Sequence, residues 1–225
     1  CCCLLPACGL NVAVGSGTVT TTPREVGAVR KLSISDAFTV RATAGSRAVT
    51  IRTDDNLQPL IETVVQGDTL HVRVAANTTL GAHAALEADL SNDVFEGVEA
   101  SGAAHVTMPA TPATVFPLAA SGASVIDVSG LSATTVTVDA SGASRVTVSG
   151  AATDGTVHAS GASNVNLAGV PLTALGLDVS GASTVTARVS GSVAGGASGA
   201  STVVITGSPS NHVDTSGDST ITFGN

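Results

Sequence analysis

Asp139, His158 and Asp178 are the residues whose types and spacing come nearest to a chemical site in this chain. They fall two residues before successive copies of a Ser-Gly corner, in a column that reads Glu99, Ala119, Asp139, His158, Asp178, Gly196, Asp214. Apolar neighbours such as Val138 and Ala140 flank the column, so on a strand its side chains face outward. Stacked on adjacent coils, an imidazole between two carboxylates can bind a proton or a divalent metal. The plainer reading, and the preferred one, is a solvated face on which His158 relieves repulsion between two Asp. His71, His83, His105 and His212 are isolated and read as surface or edge histidines. No Ser stands in a nucleophile elbow with a matching His and Asp. The sequence therefore predicts no catalytic residue, no cofactor and no resident metal.

A second chemical candidate is Cys8. All four cysteines (Cys1, Cys2, Cys3 and Cys8) lie in the first eight residues, so no disulfide staples the body of the chain. The opening CCCLLPACGL reads as the tail of an apolar signal segment. Leu5-Pro6-Ala7-Cys8 resembles a bacterial lipobox, in which the Cys becomes the lipidated first residue of the mature protein. The alternative is a plain signal peptide cut near Ala7. Lipidation at Cys8 predicts an exported envelope protein anchored to a membrane without crossing it, because no other run approaches the roughly 20 apolar residues of a span.

Composition bounds the rest. The 225 residues include 25 Gly and 4 Phe but no Trp or Tyr; 43% are apolar and only 12% charged. A compact globule of this length normally leans on rings that bury roughly 150–250 Å² each, and that option is nearly absent. The net charge of −8 has the wrong sign for a nucleic-acid partner, and the aromatics that stack on single-stranded bases are missing.

The elements that must position these residues are repeats. Ser-Gly-Ala-Ser occurs at Ser121–Ser124, Ser141–Ser144, Ser160–Ser163, Ser180–Ser183 and Ser198–Ser201, with variants at 101–104 and 216–219. Successive starts lie 20, 20, 19, 20, 18 and 18 residues apart. After each copy apolar residues alternate with period two, as in Ile126/Val128, Val146/Val148, Val165/Leu167 and Val203/Ile205. A second alternation precedes each corner, as in Val136/Val138/Ala140. Two half-buried strands joined at a tight corner, repeated at a fixed period, predict an all-β parallel β-helix. The prediction is a solenoid of about seven coils of 18–20 residues over 101–225. Its narrow interior favours Ala, Ser and Val over rings, and Phe223 is placed to cover the open end.

After the corner, two outward columns read Val125, Arg145, Asn164, Thr184, Thr202, Thr220 and Asp127, Thr147, Asn166, Thr186, Val204, Thr222. Asn164, Asn166, Thr184, Thr186, Thr202, Thr220 and Thr222 form the candidate binding surface. The Thr-x-Thr grid of the last coils resembles the ice-binding face of some β-solenoids, but Arg145, the Asn pair and Asp127 interrupt it. Thr is also simply a good exposed strand residue.

Residues 26–100 lack the motif and hold most of the charges. Alternation at 32–40, 49–52, 60–65 and 70–74, with a hairpin turn at Gln66-Gly67-Asp68, predicts a β-rich N-terminal cap. Residues 9–25, rich in Gly, Ser and Thr, read as a flexible tether, and residues 1–8 as the signal remnant.

The stretches Val29–Ile34, Ala37–Val40, Asp54-Asp55-Asn56-Leu57 and Gly67-Asp68-Thr69-Leu70, followed by the Ser-Gly-x-Ser corners, resemble the bacterial auto-transporter adhesin family with a head GIN domain. Ser216-Gly217-Asp218 is nearest to that family's commoner corner, whereas Ala123, Ala143, Ala162, Ala182 and Ala200 replace its Asp. The resemblance covers about residues 26–225. It implies a right-handed β-helix on exported or lipidated envelope proteins, with a role in adhesion and no catalytic residues. The expected function is thus a non-enzymatic envelope adhesin binding a surface, glycan or protein partner through stacked strand faces. The alternatives are a structural scaffold without a ligand and, less favoured, a carbohydrate-active enzyme.

Overall fold

A computed structural model describes residues 11–82 and 85–224. The chain is a parallel β-solenoid, and its organising unit is the corner. In the coil centred on Ser141–Ser144, Val136, Val138 and Ala140 enter the interior before the turn, and Val146 and Val148 enter after it; none is more than 3% exposed. At the turn Gly142 has φ 71°, a left-handed conformation that costs a residue with a Cβ roughly 1–2 kcal/mol. A Cβ there would also lie 2.5 Å from the carbonyl oxygen of Gly122 on the coil below. That close approach is needed because the Ala143 N–H donates to the same oxygen at 2.7 Å. The link repeats up the stack, from Ala123 to Gly102, Ala162 to Gly142, Ala182 to Gly161 and Ala200 to Gly181.

The fourth residue of the motif is inside. Ser124, Ser144, Ser163, Ser183 and Ser201 are each 1% exposed. The hydroxyls of Ser124, Ser144 and Ser163 donate to the carbonyls of Ala100, Ala120 and Ala140 at 3.1, 3.3 and 3.4 Å. Those carbonyls also accept the N–H of the corner's first Ser. At these three corners a small side chain with one donor fits the narrow turn and satisfies its own polarity; Ser183 instead meets the Ser163 hydroxyl at 3.2 Å, and the buried Ser201 hydroxyl has no hydrogen-bond partner among the described residues. The third residue (Ala123, Ala143, Ala162, Ala182 or Ala200) is exposed, as is Asp218, so exchanging Asp for Ala there leaves the stack intact.

Strands run through the coils in long parallel register, Val125–Ala140 on Arg145–Ala159, then Asn164–Val179 and Thr184–Ala197. The solenoid makes about six turns rather than about seven. Seven corners bound six corner-to-corner intervals, so counting motifs overshoots by one.

The parallel ladder does not stop at residue 100. Lys31–Ile34 pairs in parallel with Gly97–Ala100 and with Thr69–Val74, and Thr39–Ala44 with His105–Pro109 and Leu86–Asn92. Antiparallel segments close this end: Ala48–Asp54 lies between Val19–Arg24 and Leu86–Asn92. Ile61–Gln66 and Thr69–Val74 form the expected hairpin, with Gly67 at φ 63°. Three of the four Phe, at 38, 95 and 116, are fully buried here, where the interior is wide enough for rings. The stretch expected as a tether carries two strands instead: Asn11–Ala13 pairs with Thr78–Leu80, and Val19–Arg24 is the antiparallel edge. Val19 and Thr20–Thr22 are β-branched residues suited to that edge. At the far end Phe223 lies over the fully buried Ile205 in register and is 38% exposed.

Gly130 has a φ of 69° and no atom within 4 Å of a would-be Cβ, whereas Gly142 combines a similar φ with the backbone contact. Gly142→Ala should therefore lower the apparent Tm by several degrees more than Gly130→Ala, at about 2–4 °C per kcal/mol for a chain of this size. Differential scanning calorimetry of the two variants checks this; equal losses would show that the coil-to-coil contact carries no weight.

Candidate functional site

Two outward faces flank the line of corners. The face after the corner is built by the alternation that buries Val165, Val185 and Val203 completely and turns their neighbours out. Strand register stacks the first column as His105, Val125, Arg145, Asn164, Thr184, Thr202, Thr220. The second stacks as Thr107, Asp127, Thr147, Asn166, Thr186, Val204, Thr222. Every residue of the candidate binding surface thus falls in one of two adjacent, uninterrupted columns, and all seven are exposed or half-buried. The Asn166 carboxamide oxygen accepts the Ala168 N–H at 3.0 Å, which fixes that side chain at a strand bend. At the charged end of the face, His105 Nε2 lies 3.2 Å from Asp127 Oδ2.

The face before the corner carries the other column, and register confirms it rung by rung: Ser33, Glu99, Ala119, Asp139, His158, Asp178, Gly196, Asp214. His158 Nδ1 approaches Asp178 Oδ2 at 3.9 Å, with both side chains more than half exposed. Asp139 and Asp178 sit two rungs apart, roughly 9.6 Å along the rod, too far to close around one ion. Among the described residues no group of three His, Cys, Asp or Glu is arranged to hold a metal. In this geometry only His158 and Asp178 of the three approach each other.

Sequence reasoning missed the shape of this face. Where the strands turn into the corners, the column and the first serines of the motifs (Ser121, Ser141, Ser160 and Ser180) line a groove of about 420 Å³. It joins a second hollow of about 190 Å³ through the shared residues Glu99, Ala119 and Asp139, with Lys31, Thr69 and Pro117 beyond. The column was readable from spacing; the concavity depends on how far each corner projects, which spacing does not encode. Cys8 and His83 lie outside the described residues.

The pattern of the family described as "Putative auto-transporter adhesin, head GIN domain" matches residues 29–209. The chain belongs to this family. Solved structures share the family fold. A putative adhesin of Bacteroides fragilis superposes with a TM-score of 0.85 at 18% identity, covering 94% of this chain and 99% of its own. A putative adhesin of Parabacteroides distasonis gives 0.68 at 14%, covering 94% and 99%. A protein of the same organism described as a putative lipid binding protein gives 0.73 at 12%, covering 96% and 100%. At these identities the likeness shows the head GIN fold alone. No curated protein matches the chain.

A zinc titration followed by calorimetry should give the same weak heats for wild type and His158→Ala. A saturable site lost in the variant would contradict the distance argument.

Proposed function

We propose that this head GIN chain is the non-catalytic binding module of an exported, envelope-attached adhesin. Contact with a surface, glycan or protein partner runs along the two exposed columns after the corner. The observation that carries the reading is their unbroken register: Asn164, Thr184, Thr202 and Thr220 present one polar group per coil, beside Asn166, Thr186 and Thr222. A rigid ladder of identical donors and acceptors suits a ligand that itself repeats, because each coil adds one more contact and little side-chain entropy is lost. Leu5-Pro6-Ala7-Cys8 supports attachment through a lipid on Cys8, and the adhesin names carried by relatives support a location in the envelope. The scaffold alternative draws on the same regularity, since a rod needs no ligand to act as a spacer.

The test is retention on an array of glycans and matrix proteins. Replacing Asn164, Thr184, Thr186 and Thr202 together by Ala should reduce retention about tenfold or more at unchanged circular dichroism, if each polar contact contributes about 0.5–1.5 kcal/mol. No retention of the wild type on any surface, with altered envelope integrity on deletion, would favour the scaffold.

A further inference from the structure

The groove before the corner has a charge pattern that the columns after it lack. Along the seven rungs of its column the carboxylates Glu99, Asp139, Asp178 and Asp214 alternate with Ala119, His158 and Gly196; the first three line the groove, and Asp214 continues the column beyond it. Four acids elsewhere are paired with Lys or Arg: Glu96 with Arg30, Asp68 with Lys31, Glu87 with Arg41 and Arg52, and Glu62 with Arg73. Among the described residues the four column carboxylates meet no Lys or Arg at ion-pair distance. Polar groups near them are Ser33, whose hydroxyl donates to Glu99 at 3.4 Å, and His158, 3.9 Å from Asp178. Alternation alone would be served by Thr or Asn, as at Asn164, Thr184 and Thr202 on the other face; it does not require four carboxylates at alternate rungs of one column, three of them along a groove.

Spacing narrows the occupant. Alternate rungs of a parallel sheet place successive carboxylates ~9.6 Å apart. A polyproline II chain advances ~3.1 Å per residue with three residues per turn, so every third side chain returns to the same side after ~9.3 Å. The two repeats drift by only about 1 Å over the three intervals from Glu99 to Asp214. A polyproline II backbone has no internal hydrogen bonds, and the hydroxyls of Ser121, Ser141, Ser160 and Ser180 along the groove wall can serve its free carbonyls. A sugar chain finds no stacking platform here: the protein has no Trp or Tyr, Phe38, Phe95 and Phe116 are buried, and Phe223 lies on the last rung of the other face.

We propose that the groove binds an extended polyproline II peptide bearing Lys or Arg at every third position, one cation per groove carboxylate. The proposal rests on the adhesin reading but uses a different face, so the two can fail separately.

The probe is a fluorescent peptide of Pro-Pro-Arg repeated four times, compared by anisotropy with a peptide of the same composition whose four Arg are contiguous. The repeat peptide should bind the wild type more tightly than the contiguous one. Added salt should weaken it, and Asp139→Asn with Asp178→Asn should weaken it about tenfold, as expected for the loss of exposed ion pairs. The Asn164/Thr184/Thr186/Thr202→Ala variant should bind it normally, which separates this groove from the other face. Failure of the repeat peptide to bind, equal affinity for the contiguous peptide, indifference to the two Asn substitutions, or preference for a chitosan oligomer would each overturn the proposal.

Discussion

The rest of the structure hangs on one contact: the N–H of a corner Ala reaching the carbonyl of the corner Gly one coil below. At 2.7 Å between Ala143 and Gly122, repeated from Ala162 to Gly142 and Ala182 to Gly161, it fixes the height of each coil. It requires a residue without a Cβ at each corner stacked on another, because a methyl there would meet the carbonyl oxygen below at 2.4–2.8 Å. It also brings the fourth motif residue inside, where the hydroxyls of Ser124, Ser144 and Ser163 each add a second hydrogen bond to a carbonyl of the coil below. Once corners stack, the strands on either side have no freedom of register, and every second residue is assigned to the core or to solvent. The faces follow from that assignment.

Much of this was legible in the sequence because the constraint is local and recurs. Seven Gly-bearing corners at 18–20 residue intervals announce stacking, and alternation about them names both the buried Val rows and the outward columns. Hence Asp139, His158 and Asp178 fall in one column, and Asn164 lies under Thr184, as spacing implied. What spacing could not convey was long-range. Val19–Arg24 reads as loop by its Gly, Ser and Thr surroundings, and becomes a strand only because Ala48–Asp54 offers it an edge. The groove depends on the projection of corners beyond a sheet face, a tertiary quantity with no periodic trace.

The same regularity separates the functions that the surface can perform. A head GIN chain with few aromatics cannot build a deep apolar pocket, and its polar groups are spread along lines rather than gathered at a point. Such lines suit ligands that repeat, and the two faces differ in what repeat they offer: one polar group per coil on the Thr and Asn side, one carboxylate per two coils on the other. Basic residues are concentrated at the N-terminal end, where Arg30, Lys31, Arg52 and Arg73 pair with acids, and no Lys or Arg lines the groove itself.

If corner stacking sets the register, whole coils are modular and fractions of coils are not. Deleting residues 141–159 joins Ala140 to Ser160 and leaves every remaining corner over another. Deleting residues 141–150 joins Ala140 to Ala151 and removes one corner while stranding half a coil. Thermal unfolding followed by circular dichroism tests this directly: the whole-coil deletion should retain the strand signal and a cooperative transition within several degrees of wild type, whereas the half-coil deletion should lose both. Equal disruption by the two deletions would contradict the account.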